Sequence, residues 1–224
     1  MDWCLITQKI PTPLYFLYYY IMGNTLNKNA TATNNNNNNN NIAPSYNSIL
    51  GELNIDAKNV SLIASGGSGA IYSNKTNISR VIKVARGTKS RLDREYNTSI
   101  LAAQFDIGPR IFTSKSGIYS VGKWHYLVMY MENMDFTLSQ YLNNKSILNT
   151  SIQYNIELIN SLIIKMHTVA KLCHRDLHED NIMYSVRKKR WYIVDFDTAR
   201  PFIENDCIDR LYEVRRRRKK SRPK

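Results

Sequence analysis

The sequence predicts an α+β fold of two unequal lobes, a small β-rich N-lobe over about 50–132 and a shortened helical C-lobe over about 133–211. Three observations predict it. Short β-branched runs separated by turn residues crowd the first part, with one helical pattern among them. A long amphipathic helix pattern and a small hairpin follow in the second. Strands and helices are therefore segregated along the chain, whereas a doubly wound parallel sheet would alternate them.

In order, Val60-Ser61-Leu62-Ile63-Ala64 and Ile78-Ser79-Arg80-Val81-Ile82-Lys83-Val84 read as strands flanking a glycine-rich turn. Ser90 to Phe105 reads as a helix, stopped at Gly108-Pro109 because proline cannot continue it. Ile118 to Val121 and Tyr126 to Met131 read as a strand pair turning at Gly122-Lys123, and Leu138 to Leu142 as a short helix. Ile152, Ile156, Ile159, Ile163, Met166 and Ala170 then recur at steps of four and three, the stripe of a helix facing a core, with Asn149, Thr150 and Ser151 as candidate caps. Ile182 to Val186 and Trp191 to Val194 form a last hairpin around the basic turn Arg187-Lys188-Lys189-Arg190, read as a solvated tip.

The ends differ in composition from the middle. Of the formal charge of +13, eight positive charges fall in the last ten residues, so the globular part is only mildly basic. That tail, assigned to 212–224, suits contact with RNA or another acidic partner, a nuclear-import signal, or simple solubility. Residues 1–22 form an apolar leader whose core, Leu14 to Met22, is too short to span a bilayer, so no stable membrane insertion is expected. A start at Met22 would expose Gly23 in a partial myristoylation pattern, with Asn27 where Ser or Thr is wanted. Residues 23–49, with an asparagine run from Asn34 to Asn41, are too polar to offset chain entropy and read as a disordered linker. Cys4, Cys173 and Cys207 make no CxxC pair and no disulfide framework, which points to a reducing intracellular compartment, cytoplasmic or nuclear.

Chemistry concentrates in two segments, His174-Arg175-Asp176-Leu177-His178-Glu179-Asp180-Asn181 and Ile193-Val194-Asp195-Phe196-Asp197. Asp176 is a candidate to orient a hydroxyl and accept its proton, and the oxygens of Asn181 and Asp195 suit a hard cation. Lys83, set among β-branched residues, needs a partner if it points inward, and Glu95 on the following helix is the candidate. In Ser65-Gly66-Gly67-Ser68-Gly69-Ala70-Ile71-Tyr72, glycines let backbone N–H groups approach phosphate oxygens, although alone such a run fits a plain hairpin turn. His174 reads as a structural hydrogen-bonder, and His125 and His167 as packing or surface residues. No His/Cys cluster has zinc spacing, and Cys173 lacks an activating base beyond His174.

Together these segments resemble the eukaryotic-type protein kinase superfamily, whose catalytic loop is H-R-D-x-x-x-x-N and whose magnesium loop is D-F-G. The resemblance spans about Val60 to Asp197 and implies a two-lobed kinase-like fold with ATP and Mg2+ as cofactors. It implies that Ile63, Ala64, Ser65, Gly66, Gly67, Ser68, Gly69, Ala70 and Ile71 cover ATP, with Ala64 in place of the first glycine. Lys83, held by Glu95, would reach the α- and β-phosphates, Asp176 would serve the acceptor hydroxyl, and Asn181 and Asp195 would hold metal. Leu127-Val128-Met129-Tyr130-Met131-Glu132 is similar to the strand and hinge that bind adenine, with Met129 in the gatekeeper slot and Met131 at the hinge.

Three departures mark the chain. Asp197 replaces the glycine of D-F-G, which predicts a less mobile magnesium loop. His178 stands where serine/threonine kinases carry lysine and is familiar from small-molecule phosphotransferases. After Asp197 only 27 residues follow, without A-P-E, and Ile208-Asp209-Arg210-Leu211 is expected to start the helix that anchors the catalytic loop. This brevity, Ile107-Gly108-Pro109-Arg110-Ile111 and Leu211-Tyr212-Glu213-Val214-Arg215 resemble the compact atypical kinase of the KEOPS tRNA-modification complex. The leading expectation is a serine/threonine-protein kinase acting on an unidentified protein substrate. The alternatives are an ATPase of an RNA-modifying complex, an inactive kinase-like binding module and a small-molecule kinase.

Overall fold

A computed structural model describes residues 45–66 and 69–212. The apolar leader, the linker up to residue 44, Gly67, Ser68 and the basic tail after Tyr212 lie outside the described residues. The architecture is α+β. Its largest unit is an antiparallel sheet of β1 (Val60–Ser65), β2 (Gly69–Asn74), β3 (Arg80–Gly87), β4 (Gly117–Val121) and β5 (Trp124–Glu132), in the order β1-β2-β3-β5-β4. Central β3 is buried from Val81 to Ala85 on both faces, which is why its sequence is a near-continuous β-branched run instead of an alternating one.

The glycine-rich segment is not one turn between two strands, as its composition predicts. Gly69, Ala70 and Ile71 belong to β2, where Ala70 and Tyr72 face one core and Ile71 the other. A Cβ at Gly69 would lie 2.7 Å from the Val84 carbonyl oxygen, so close approach of β2 to β3 is what demands glycine there. Ordered packing also starts earlier than expected. Ile49, Leu50, Leu53 and Ile55 are buried against Tyr72, Ile82, Val84, Tyr126 and Val128, and the Tyr72 hydroxyl donates to Asn47 at 2.8 Å.

Helix α1 (Lys89–Gln104) follows β3 directly, with Thr88 as its N-cap. Leu92, Glu95, Ser99 and Ala102 form its buried stripe, at steps of three and four, against the face of the sheet that carries Val81, Ala85, Leu127, Met129 and Met131. After β5 come β6 (Phe136–Thr137), α2 (Leu138–Asn143) with a Thr137–Gln140 capping box, and α3 (Ile152–Thr168) capped by Ser151. Strands β7 (Leu172–Cys173), β8 (Ile182–Ser185), β9 (Arg190–Ile193) and β10 (Arg200–Pro201) pair as β6-β8-β9 and β10-β7. The predicted stripe of α3 is buried at Ile156, Ile159, Ile163 and Met166, beneath Phe136, Tyr141, Trp191 and Phe196. Each such side chain contributes about 1.5–3 kcal/mol, so this cluster is what anchors the loops between β7 and β10.

Three expectations are corrected here. The basic turn is no mere solvated tip: Arg187 and Lys188 fold back onto Glu132, itself buried, with Lys188 Nζ at 2.7 Å. Residues 208–211 form no helix. Cys173 and Cys207, 34 residues apart, are joined in a disulfide. Pairing of Arg200 with Cys173 turns the chain back so that Cys207 returns to β7, a closure invisible in the spacing, and it removes the ground on which a reducing compartment was expected. Among the described residues no helix is long and apolar enough to cross a membrane.

Candidate functional site

Strand β3 presents Lys83 on the α1 side of the sheet, and the buried stripe of α1 presents Glu95 to it. Lys83 Nζ lies 2.7 Å from Glu95 Oε1 and 2.6 Å from Asp195 Oδ1, with Lys83 8% and Glu95 1% exposed. Burial pushes the Lys83 ammonium down, but Asp195 and then Glu95 more than reverse this, so its pKa stands above the usual lysine value. Burial likewise pushes Asp195 up, and the adjacent Lys83 overrides it, so the carboxylate is held below its usual range. Behind Lys83 lies a cavity of about 20 Å³ bordered by Met129, Met131, Asp195 and Phe196. That is space for about one water molecule.

The segment after β7 is held from three sides. His174 is fully buried, and its Nε2–H donates to the Val194 carbonyl at 2.8 Å. Its own carbonyl accepts from the Thr198 hydroxyl at 2.8 Å. The Asp209 carboxylate accepts the backbone N–H of His174 at 2.6 Å and of Arg175 at 2.8 Å. Arg175 sits at φ +69°, a left-handed kink that these bonds sustain. Beyond the kink Asp176 emerges, its side chain 60% exposed. Asn181 is buried and donates through Nδ2 to the Asp176 carbonyl at 2.9 Å. Nδ2 is also 2.9 Å from His178 Nε2, which lies 3.9 Å from the Asp176 carboxylate.

Asp195 is tied to the same loop, because the N–H of Val194 donates to the Asn181 carbonyl at 2.9 Å. The strained angle of the Asp195-Phe196-Asp197 turn falls on Asp195, at φ +65°, and not on Asp197. Phe196 is buried against the His174 ring, and its carbonyl accepts from Thr98 of α1. The Asp197 carboxylate accepts from the Arg91 guanidinium, also on α1.

Ile63 and Ile71 pack on the Lys83 face of the sheet with Val81, Met129 and Met131. Ala64 and Ser65 end β1 opposite Ile71 and Ala70, and the Gly66 N–H donates to the Gly69 carbonyl at 2.8 Å. Two expected nucleotide contacts stand differently. Ala70 turns its side chain into the opposite core, away from Lys83. Met131 lies within β5, opposite Val81 and bridged by Ile111 on its other side, so its side chain and not its backbone is what it offers. Gly67 and Ser68 are outside the described residues.

Sequence reasoning missed Asp209 as a side chain, although an anchor for the loop was expected from that stretch; a carboxylate in an irregular segment does the work expected of a helix. It missed Arg91, whose signal was its place one turn before Glu95. It also found no His/Cys cluster, yet His167, Cys207 and Asp209 meet across 40 residues of chain, with His167 Nε2 3.1 Å from Asp209 Oδ2. No protein-family model matches the chain, and no curated protein matches it.

Proposed function

We propose that the chain is an ATP- and magnesium-dependent phosphotransferase, most simply a serine/threonine-protein kinase of two-lobed, kinase-like fold. One observation carries the reading. A buried lysine on a β-strand is shared between a buried helix glutamate and Asp195, and Asp195 is bonded through Val194 and Asn181 to the loop that exposes Asp176. The donor chemistry fits a hard cation. Asn181 has committed Nδ2 to the Asp176 carbonyl, which leaves its amide oxygen, and Asp195 adds a carboxylate held ionised.

When bound, ATP with magnesium supplies the γ-phosphoryl group and the charge neutralisation that its transfer needs. The residues do the rest. Lys83 holds phosphate oxygens, and Glu95 keeps the lysine extended along the sheet. Asp176, the exposed carboxylate, orients the acceptor hydroxyl and takes its proton, while the Asp209 bonds to His174 and Arg175 keep that carboxylate in place. Ile63, Ile71 and Met131 provide an apolar face for the base.

The test is transfer of radiolabel from γ-labelled ATP by the full chain and its Asp176→Asn variant, with a serine-rich protein, tRNA or no acceptor. Label is expected in the protein acceptor, falling by about 10²-fold or more in the variant, as for loss of a general base. Phosphate release that requires tRNA would favour an RNA-linked ATPase. ATP bound without turnover would favour an inactive binding module, and no ATP binding at all would end the reading.

A further inference from the structure

We propose that, once its disulfide is reduced, the Cys173–Cys207 pair binds a zinc ion together with His167 and Asp209, making a thiol-dependent metal site at the base of the loop that carries Asp176. The end of α3 supplies His167, β7 supplies Cys173, and the irregular segment after β10 supplies Cys207 and Asp209. The donor atoms are already gathered. Cys207 Sγ is 3.6 Å from His167 Nε2 and 3.5 Å from Asp209 Oδ2, and these last two are 3.1 Å apart. A tetrahedral zinc with bonds of about 2.3 Å to sulfur and about 2.0–2.1 Å to nitrogen and oxygen places its donors about 3.3–3.6 Å apart. The two edges to sulfur fall in that range, and the 3.1 Å edge between His167 and Asp209 needs to open by only about 0.2 Å.

The outer contacts suit the role. Asp209 accepts two backbone N–H groups, which fixes the carboxylate as a ligand's second partners do, and Phe202 stacks on the His167 ring at 4.7 Å. Once the bond is reduced, Cys173 Sγ supplies the fourth donor by moving out to about 3.8 Å from Cys207 Sγ, the sulfur–sulfur edge of such a tetrahedron. Two sulfur donors with imidazole and carboxylate select zinc over magnesium or calcium.

The chemistry balances with a dithiol reductant. Its two thiolate attacks pass two electrons and two protons to the protein disulfide, leaving two protein thiols and an oxidised, disulfide form of the reductant. Zinc then displaces the two thiol protons to solvent, while His167 carries its own proton on Nδ1 and binds through Nε2. Oxidation by a disulfide reverses the sequence and expels the ion. Metal uptake at this place is independent of the phosphotransferase reading and is measured without it.

The experiment uses the full chain, in wild-type form and in a C4S background that removes the remaining cysteine. Each is oxidised, or reduced and freed of reductant under anaerobic conditions, and titrated with Co2+ and with Zn2+ against a chromophoric chelator. Reduced protein is expected to bind one equivalent, with thiolate-to-cobalt charge transfer and tetrahedral visible bands, and oxidised protein to bind more than tenfold more weakly. H167Q and C207S are each expected to weaken binding at least tenfold. Circular dichroism of the same samples shows whether they remain folded, and the wild-type comparison of reduced with oxidised protein stands without either variant. Reduced wild type that gives no tetrahedral cobalt spectrum overturns the proposal. So does a folded H167Q protein that binds as tightly as wild type.

Discussion

Arg91 and Asp197 form an ion pair that ties the Asp195-Phe196-Asp197 turn to α1, one helical turn before Glu95 grips Lys83. With the Thr98 hydroxyl on the Phe196 carbonyl, the helix therefore holds the site at three points. Its partly exposed arginine limits the first to about 1 kcal/mol or less, a factor of about five in local opening. Amide exchange at residues 196–199 is expected to quicken by up to about that factor in Arg91→Ala and in Asp197→Gly, with little change elsewhere. Unchanged exchange in both variants would mean that Asp197 does not restrain the turn.

Among the described residues Lys83 is the only cation paired with Glu95, a residue 1% exposed. Removing one partner of a buried pair strands the other charge at a cost of about 3–5 kcal/mol. Lys83→Met is thus expected to lose about 3 kcal/mol in urea unfolding, besides any phosphoryl transfer. Lys83→Met with Glu95→Gln should recover part of the loss, because the more deeply buried of the two carboxylates that the lysine leaves behind no longer carries a charge, while Asp195 still does. A double variant less stable than the single one would show that the glutamate finds another partner.

How much of this was legible in the sequence depended on the range of the signal. The run Val81-Ile82-Lys83-Val84 and the stripe from Ile152 to Met166 are local patterns, and the sheet and α3 follow them. Lys83 meets Glu95 and Asp195, and the Val194 N–H ties Asn181 to the same place, although the four residues lie in segments far apart in the chain. Strand β2 was masked because Gly69 reads as a turn former, whereas the Val84 carbonyl beside it requires glycine inside a strand. Tertiary closure left no local trace at all. The Cys173–Cys207 bond, the Asp209 anchor and the return of Arg187 and Lys188 onto Glu132 each depend on where distant chain segments pass.

Stability should fall with pH in two steps. Burial holds His174 below its usual pKa, against the smaller upward pull of Val194, Asp209, Asp195 and Asp176. The unfolded chain therefore takes up this proton first, near pH 6.5, and the native state loses stability as pH falls below that value, by at most about 1.4 kcal/mol per unit. Asp195, also depressed, adds a second loss as pH falls below about 3.9. Urea midpoints of wild type and His174→Gln from pH 8 to pH 4.5 separate the first step, which should be absent from the variant. Parallel curves for the two proteins would contradict the assignment to His174.

Asn155 joins α3 to the strand that leads into Asp195. It is 2% exposed, accepts the Trp191 indole N–H at 2.9 Å and donates to the Tyr141 hydroxyl at 2.9 Å and Thr150 at 2.8 Å. Asn155→Leu would leave the indole donor with no acceptor among these bonds, while Tyr141 keeps its bond to the Thr150 carbonyl. A buried group left unpaired costs about 1–3 kcal/mol, so a loss of about 2 kcal/mol is expected. Trp191→Phe removes the stranded donor, and a double-mutant cycle should therefore show the two changes to be less than additive. Additive losses would mean that the destabilisation comes from packing alone and that the bond between Trp191 and Asn155 contributes little to holding β9 on α3.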